Sequence, residues 1–315
     1  MSRNAILLYV FLNVVLFFFI SIFYYLSLTS SYPSVINIPK GSITSIITHL
    51  QKNNLDINRL DSILLNFFGS PQSGWIEIHP TNNITYETSK GDFLYQLTNS
   101  KAALKEITLI PGETMYFFIE NISSTLGLDK KELWEAYQEY TSYPDGVILP
   151  NTYKVPLDIG PRYLMSYLIE QSMKEHKRNA IKILGRYDEK QWFNYITIAS
   201  IIQKEAASKE EMPLIAAVIY NRLKIKMPLQ MDGSLNYGEY SHQKVTPHRI
   251  RNDKSVYNTY KNYGIPPYPV GSASMDAIIA TIKPADVDYL FFVKNASGGH
   301  SFSNNYKTHI DNINQ

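Results

Sequence analysis

Residues 5–28, AILLYVFLNVVLFFFISIFYYLSL, hold no charged side chain, and Asn13 is the only strongly polar one. At about 1.5 Å of rise per residue such a helix reaches roughly 36 Å, enough to cross a hydrocarbon core about 30 Å thick with some tilt. A cleaved signal peptide would carry a shorter apolar run, roughly 7 to 15 residues, closed by small residues. Here Phe23, Tyr24 and Tyr25 continue the run, so it reads as a retained anchor. Arg3 and the terminal amine are the only positive groups before the run, and the next charge is Lys40. The positive-inside rule therefore places the N-terminus in the cytoplasm and the remaining chain on the opposite side of the membrane.

That remainder is long enough for two domains of ordinary size. With 44% apolar residues, 24 Tyr and 14 Phe, it can fill real cores. A net charge of +2 argues against a nucleic-acid partner, which demands concentrated Lys and Arg to neutralise phosphates. The absence of cysteine excludes a disulfide scaffold, a thiolate zinc site, a cysteine nucleophile and a lipid-modified N-terminal cysteine.

The fold class expected is α+β: a single N-terminal transmembrane helix, then an α/β region, then a mixed α+β domain. Residues 1–4 form a cytoplasmic tail, 5–28 the span, and 29–34 (TSSYPS) a short polar linker. Residues 35–41 read as a strand ending in a turn, and 42–51 place Ile43, Ile46, Ile47 and Leu50 at helical spacing. A near copy follows at 107–112 and 114–126, with Ile119, Ile122 and Leu126 inward, so the two strand-turn-helix units resemble an internal repeat. Residues 75–78 and Tyr86 read as short strands and 93–97 as a helix. Pro144, Asp145 and Gly146 mark a turn, 147–153 an extended strand, and 160 to about 177 a helix. Residues 35–190 are grouped as an N-terminal α+β region and 191–315 as the domain that carries the chemistry.

Residues 191–207 and 211–226 read as two helices separated by 208–210, with Pro213 tolerated near the start of the second. Ile198, Ile201 and Ile202 form an apolar stripe, and Glu205 stands three residues after Ile202 on the same stripe. Gln203 and Lys204 fall on the outer face. A carboxylate among isoleucines is disfavoured as an anion, so its pKa rises toward the range useful to a general acid at neutral pH. The competing reading has the helix fray after Lys204 and leaves Glu205 solvated; periodicity alone does not separate the two.

Residues 227–238, MPLQMDGSLNYG, hold too much Gly, Pro and Asn for a helix and concentrate hydrogen-bonding groups on a loop, where binding residues tend to sit. Residues 257–260 (YNTY) and 264–269 (GIPPYP) add aromatic and amide groups without positive charge, a combination that suits sugars. Any one of these tyrosines more commonly packs a core with its hydroxyl at the surface. His242, His248, His300 and His309 lack HxxxH-type spacing, so no metal site is expected.

Taken in order, IASIIQKEAA, PLIAAVIYNRL, MPLQMDGSLNYG, YNTY, GIPPYPVGSAS, ATIKPADVDYLFFV and GGHSFS resemble the YceG-like family of endolytic peptidoglycan transglycosylases across roughly residues 192–310. The resemblance implies an N-terminal anchor and LysM-like units, which residues 35–126 could supply. It implies a bacterial cytoplasmic (inner) membrane location with the catalytic domain outside, and no cofactor. In that family the glutamate closing the S-I-x-x-K-E helix is catalytic, and its position here is Glu205. This chain departs from the family at Gln203, where glutamate is common, and at Gly233 and Ser234, where proline and threonine are usual.

The implied substrate is the glycan strand of peptidoglycan, and cell-wall synthases are candidate partners. Asn221, Gln230, Asp232, Ser234, Tyr257, Asn258, Thr259 and Tyr260 are the candidates for holding it. Two alternatives stand beside this expectation: a hydrolase pairing Glu205 with Asp232, and a catalytically silent LysM-like scaffold that binds the wall.

Overall fold

The computed structural model describes residues 2–78 and 85–314. Its architecture is α+β, divided into two compact units, Met1–Lys105 with Val155–Asp158 and Glu106–Lys154 with Ile159–Gln315.

In the first unit the chain runs α1 (Arg3–Ser27), β1 (Thr29–Pro33), β2 (Val35–Ile38), α2 (Ile43–Lys52), α3 (Arg59–Phe68), β3 (Gly74–Glu77), β4 (Thr85–Ser89), α4 (Lys90–Asn99) and β5 (Lys101–Ala102). Helix α1 is long and apolar enough to cross a membrane. Asn13 Nδ2 donates back to Tyr9 O at 2.7 Å and Ser21 Oγ to Phe17 O at 2.8 Å, so both side chains are satisfied within the helix. The segment after α1, expected as a linker, is instead a strand: β1 pairs antiparallel with β4 from Thr29↔Ser89 to Pro33↔Thr85. Tertiary pairing overrides its loop-like composition, and Tyr32 anchors it by stacking on Phe93 with ring centroids 3.7 Å apart. Strands β2 and β3 pair antiparallel, with β5 beyond β3. Ile36, Ile38, Ile46, Ile47, Leu50 and Leu65 close the core beneath them.

The second unit continues with β6 (Leu104–Leu109), α5 (Met115–Leu126), α6 (Lys130–Tyr140), β7 (Asn151–Pro156), α7 (Pro161–Leu184), α8 (Glu189–Glu205) and α9 (Met212–Lys224). Two short 3-10 turns, Asp232–Leu235 and Gly238–Tyr240, precede α10 (Pro247–Asn252), α11 (Met275–Ile282), β8 (Phe291–Lys294), β9 (His300–Ser303) and α12 (Tyr306–Ile313). Strands β6 and β7 form a two-stranded sheet. The recurrence visible in sequence therefore spans more than a strand, a turn and a helix, since β2-α2-α3-β3 and β6-α5-α6-β7 share one element order. Helix α7 runs seven residues past the expected end at 177, to Leu184, where Gly185 stops it in the left-handed conformation.

Helix α8 is the centre of this unit. Asp188 caps it by accepting from Gln191 N, and every residue from Ile196 to Ile202 is buried. Even its hydroxyls work inward: Ser200 Oγ donates to Thr197 O at 2.7 Å and accepts from Val270 N at 3.0 Å. The outer face expected for Gln203 and Lys204 is not open to water. The turn at 110–113 is laced to Ser272 by Gly112 N to Ser272 O at 3.0 Å and Ser272 N to Glu113 O at 2.8 Å. Against this cover Gln203 Oε1 accepts from Ser274 N at 3.2 Å, and Lys204 Nζ donates to Gly112 O and Ser241 Oγ, both at 2.9 Å. Periodicity fixes which side a residue takes, but only tertiary packing decides what lies there.

Candidate active site

Glu205 is the last residue of α8 and remains helical, so its side chain is placed by a rigid buried element. The loop after α9 folds across it, and Gly233 N donates to Glu205 Oε1 at 2.6 Å. That approach demands glycine: a Cβ at 233 would lie 2.9 Å from Glu205 Oε1 and 2.9 Å from Lys204 Cβ. Burial pushes the Glu205 carboxyl up to about 7, and the neighbouring Asp232 charge adds to the rise. The Gly233 N–H, His300 and Arg222 oppose it, each favouring the ionised form. One carboxyl thus sits poised to lose and regain a proton near neutral pH.

The remaining sequence candidates divide into two groups. Tyr260 and Asp232 belong to the open side of the site, with the Tyr260 hydroxyl donating to Asp232 Oδ1 at 2.6 Å. Burial and then that carboxylate raise the Tyr260 pKa, so the phenol stays a donor. Gln230 is exposed with φ of 48°, its backbone N–H held by Thr259 O at 3.1 Å. Tyr257 is half-buried and stacks on Tyr237 with centroids 4.4 Å apart.

Ser234, Asn258 and Thr259 are buried and serve the loop itself. Thr259 Oγ1 accepts from Met231 N at 3.0 Å and meets Ser234 Oγ at 2.9 Å, while Asn258 Nδ2 donates to Ile250 O and Asp253 O, both at 2.9 Å. The amide of Asn221 is likewise engaged, donating to Val287 O and Tyr289 O at 2.9 Å each. Ser234 and Thr259 thus fix the loop that carries Asp232 and Gly233, while Asn258 fastens 250–253 and Asn221 fastens 287–289.

Several contributing residues were not legible beforehand. Buried Arg222 donates through Nε to Leu290 O at 2.7 Å and through Nη1 to Leu229 O, fixing a positive charge whose field reaches Glu205. Glu211 accepts from Ala207 N at 3.1 Å and from His300 N at 2.7 Å, and His300 Nδ1 lies 2.8 Å from its second oxygen. It thereby ties the residue two past Glu205 to the β8–β9 hairpin. Within reach of the Lys204 charge, buried Asp145 accepts from Met115 N at 2.7 Å, closing the N-terminus of α5. Burial pushes Asp145 up to about 7 and Lys204 down to about 8, each partly offset by the other's charge. The turn at 144–146 gave Asp145 away only as a turn residue. Of the histidines, His242 stacks on Phe117 with centroids 3.8 Å apart and His309 on Phe291 at 5.1 Å.

A family model for the YceG-like family matches residues 36–315. The endolytic murein transglycosylase of Bacillus subtilis (strain 168) is 28% identical over 304 residues, covering 87% of this chain and 82% of that protein. The endolytic murein transglycosylase of Streptococcus pneumoniae (serotype 2 strain D39) is 38% identical over 124 residues, which is 38% of this chain and 22% of that longer protein. A solved YceG-like protein from Listeria monocytogenes shares the fold with a TM-score of 0.57 at 22% identity, covering 89% of this chain and 98% of that one.

Proposed function

The chain belongs to the YceG-like family, and from that premise we propose that it is a membrane-anchored endolytic murein transglycosylase in which Glu205 is both acid and base. The observation that carries this is a half-buried carboxyl at a helix end, raised to about 7 and held through one oxygen by a backbone N–H.

At rest Oε1 accepts the Gly233 N–H, so the proton sits on Oε2. Glu205 gives that proton to the glycosidic oxygen between N-acetylmuramic acid and N-acetylglucosamine, and the bond from C1 to that oxygen breaks. Positive charge at C1 is shared with the ring oxygen or the 2-acetamido group. The new carboxylate is tolerated because the Gly233 N–H and the Arg222 charge favour it. It then takes the proton of the sugar's own 6-hydroxyl as that oxygen attacks C1, closing a 1,6-anhydro ring and restoring the acid. No water is consumed. Asp232 and Tyr260, joined by their hydrogen bond, and Gln230 hold sugar hydroxyl and acetamido groups beside it.

Helix α1 anchors the protein in the cytoplasmic membrane with its N-terminus inside, as the lone Arg3 before the span favours. Glycan is then met near the outer leaflet where it is polymerised, so cutting limits the growth of new strands.

Digestion of purified sacculi with mass analysis of the ends tests the reaction. Anhydro ends from the wild type and none from Glu205→Gln are expected. Free reducing ends would favour a hydrolase that uses Asp232, and glycan binding without turnover would favour a scaffold.

A further inference from the structure

One face of α3 is apolar and open. Leu60, Ile63 and Phe67, at i, i+3 and i+7, share a side of the helix and are 57%, 57% and 84% exposed. The opposite side carries Asp61 and Leu65 into the core. A surface helix in water keeps its apolar stripe inward and polar residues outward, whereas α3 is apolar on both sides, with exposed Arg59 at its start.

The place of this face is set by α1. Tyr25, in the last turn of α1, donates its hydroxyl to Asp61 Oδ1 at 2.9 Å and accepts from Asn58 Nδ2 at 2.6 Å and Lys90 Nζ at 3.3 Å. Leu26 packs on the core of the unit. A Cβ at Gly91 would lie 3.3 Å from both Leu26 Cβ and Leu26 O, so α1 and α4 meet almost backbone to backbone. Strand β1 then begins at Thr29, and no free chain separates the span from the unit. A helix of 25 residues reaches roughly 37 Å, against about 30 Å of hydrocarbon, which leaves its last turn in the headgroup layer. The first turn of α3, hydrogen-bonded to Tyr25, lies at the same depth.

We propose that α3 is an interfacial helix: Leu60, Ile63 and Phe67 insert among the lipid chains beside α1, with Arg59 against lipid phosphate. The inference rests on α1 being a membrane span, as in the function proposed above. Helices of this kind bury their apolar face about 5–10 Å below the headgroups. A single span leaves a protein free to rotate about the membrane normal and to tilt. A second contact removes the tilt and lays the first unit against the bilayer.

The chain has no cysteine, so single-cysteine variants take a fluorescent label cleanly. Full-length protein carrying an environment-sensitive nitrobenzoxadiazole label at Ile63→Cys, Phe67→Cys, Phe17→Cys in α1 or Thr48→Cys on the exposed side of α2 is reconstituted into phosphatidylethanolamine–phosphatidylglycerol vesicles. Lipids bearing a nitroxide near the headgroup should quench the labels at 63 and 67 at least about threefold more than the label at 48, and lipids bearing it deep in the acyl chain should quench the label at 17, as interfacial and mid-span depths require. Quenching at 17 with 63 and 67 no different from 48 overturns the inference and leaves the anchor standing. Blue-shifted emission at 67 without lipid quenching means a second copy of the chain covers the face, which also overturns it. No quenching at 17 removes the anchor and the inference together.

Discussion

The sharpest consequence of the site is its pH dependence. The Glu205 carboxyl is raised from 4.5 to about 7, chiefly by burial, and at about 1.4 kcal/mol per pH unit this is a preference of about 3 kcal/mol for the acid form. Near pH 7 about half the molecules carry the proton, where an unperturbed carboxyl would be protonated in only about 0.3%. Because the folded-state pKa is raised, the acid form dominates below it and is lost as pH climbs through it. The kcat/KM for release of anhydro-ended fragments from sacculi should be level near pH 5 to 6, halved near pH 7, and reduced to about 1% of the plateau near pH 9. Initial rates across that range measure it directly. A fall centred near pH 4.5, or a rate constant still level at pH 9, would refute Glu205 as the proton donor. Asp232→Asn removes the charge that adds to the rise, so its falling limb should move to lower pH by up to about one unit. The same linkage makes the buried acid a cost to the fold at alkaline pH. Glu205→Gln should therefore be more stable than the wild type near pH 8 by about 1–2 kcal/mol, the full 3 being reduced because Glu205 is only partly buried.

Gly233→Ala would force a Cβ to within 2.9 Å of Glu205 Oε1 and of Lys204 Cβ; cleavage should fall on the order of a hundredfold and the overpacking should cost about 1–3 kcal/mol of stability, and near-normal turnover would show that the close approach is dispensable. His176 is buried, taking a hydrogen bond from Trp192 Nε1 at 3.1 Å and facing Val147 O at 3.0 Å, and burial pushes it down to about 4. Since its folded-state pKa is lowered, stability should drop by about 3 kcal/mol as pH falls from 6.5 through 4, read from urea midpoints and absent in a variant whose residue 176 cannot titrate. Thr259→Val removes the acceptor for Met231 N and should cost about 1–3 kcal/mol in urea unfolding. Tyr260→Phe, by contrast, should leave stability within about 0.5 kcal/mol and raise KM; the reverse pattern would exchange their roles.

The features legible in sequence share one property: they are local. The span is a matter of length and composition, and α1 runs Arg3–Ser27 as those dictate. Glu205 falls in register with Ile201 and Ile202 because helical periodicity operates over a few residues, and the family resemblance selects the same position. Composition also marked residues 227–238 and 257–260 as a wall near it.

Which side chains of that wall stay exposed was decided elsewhere in the chain. Ser234, Asn258 and Thr259 carry the same donors and acceptors as binding residues, but their partners lie on Met231, Ile250 and Asp253, and burial leaves them nothing to offer a ligand. Asp232, Gln230 and Tyr260, from the same short stretches, stay on the open side. Lys204 occupies an outer helical position, yet the turn at 110–113, far off in sequence, covers it and takes its ammonium. Residues 29–33 read as a linker until β4, more than fifty residues later, pairs with them. A sequence thus determines which groups are available and the face each takes on its own helix or strand; which of them stay exposed to a substrate depends on packing between distant segments.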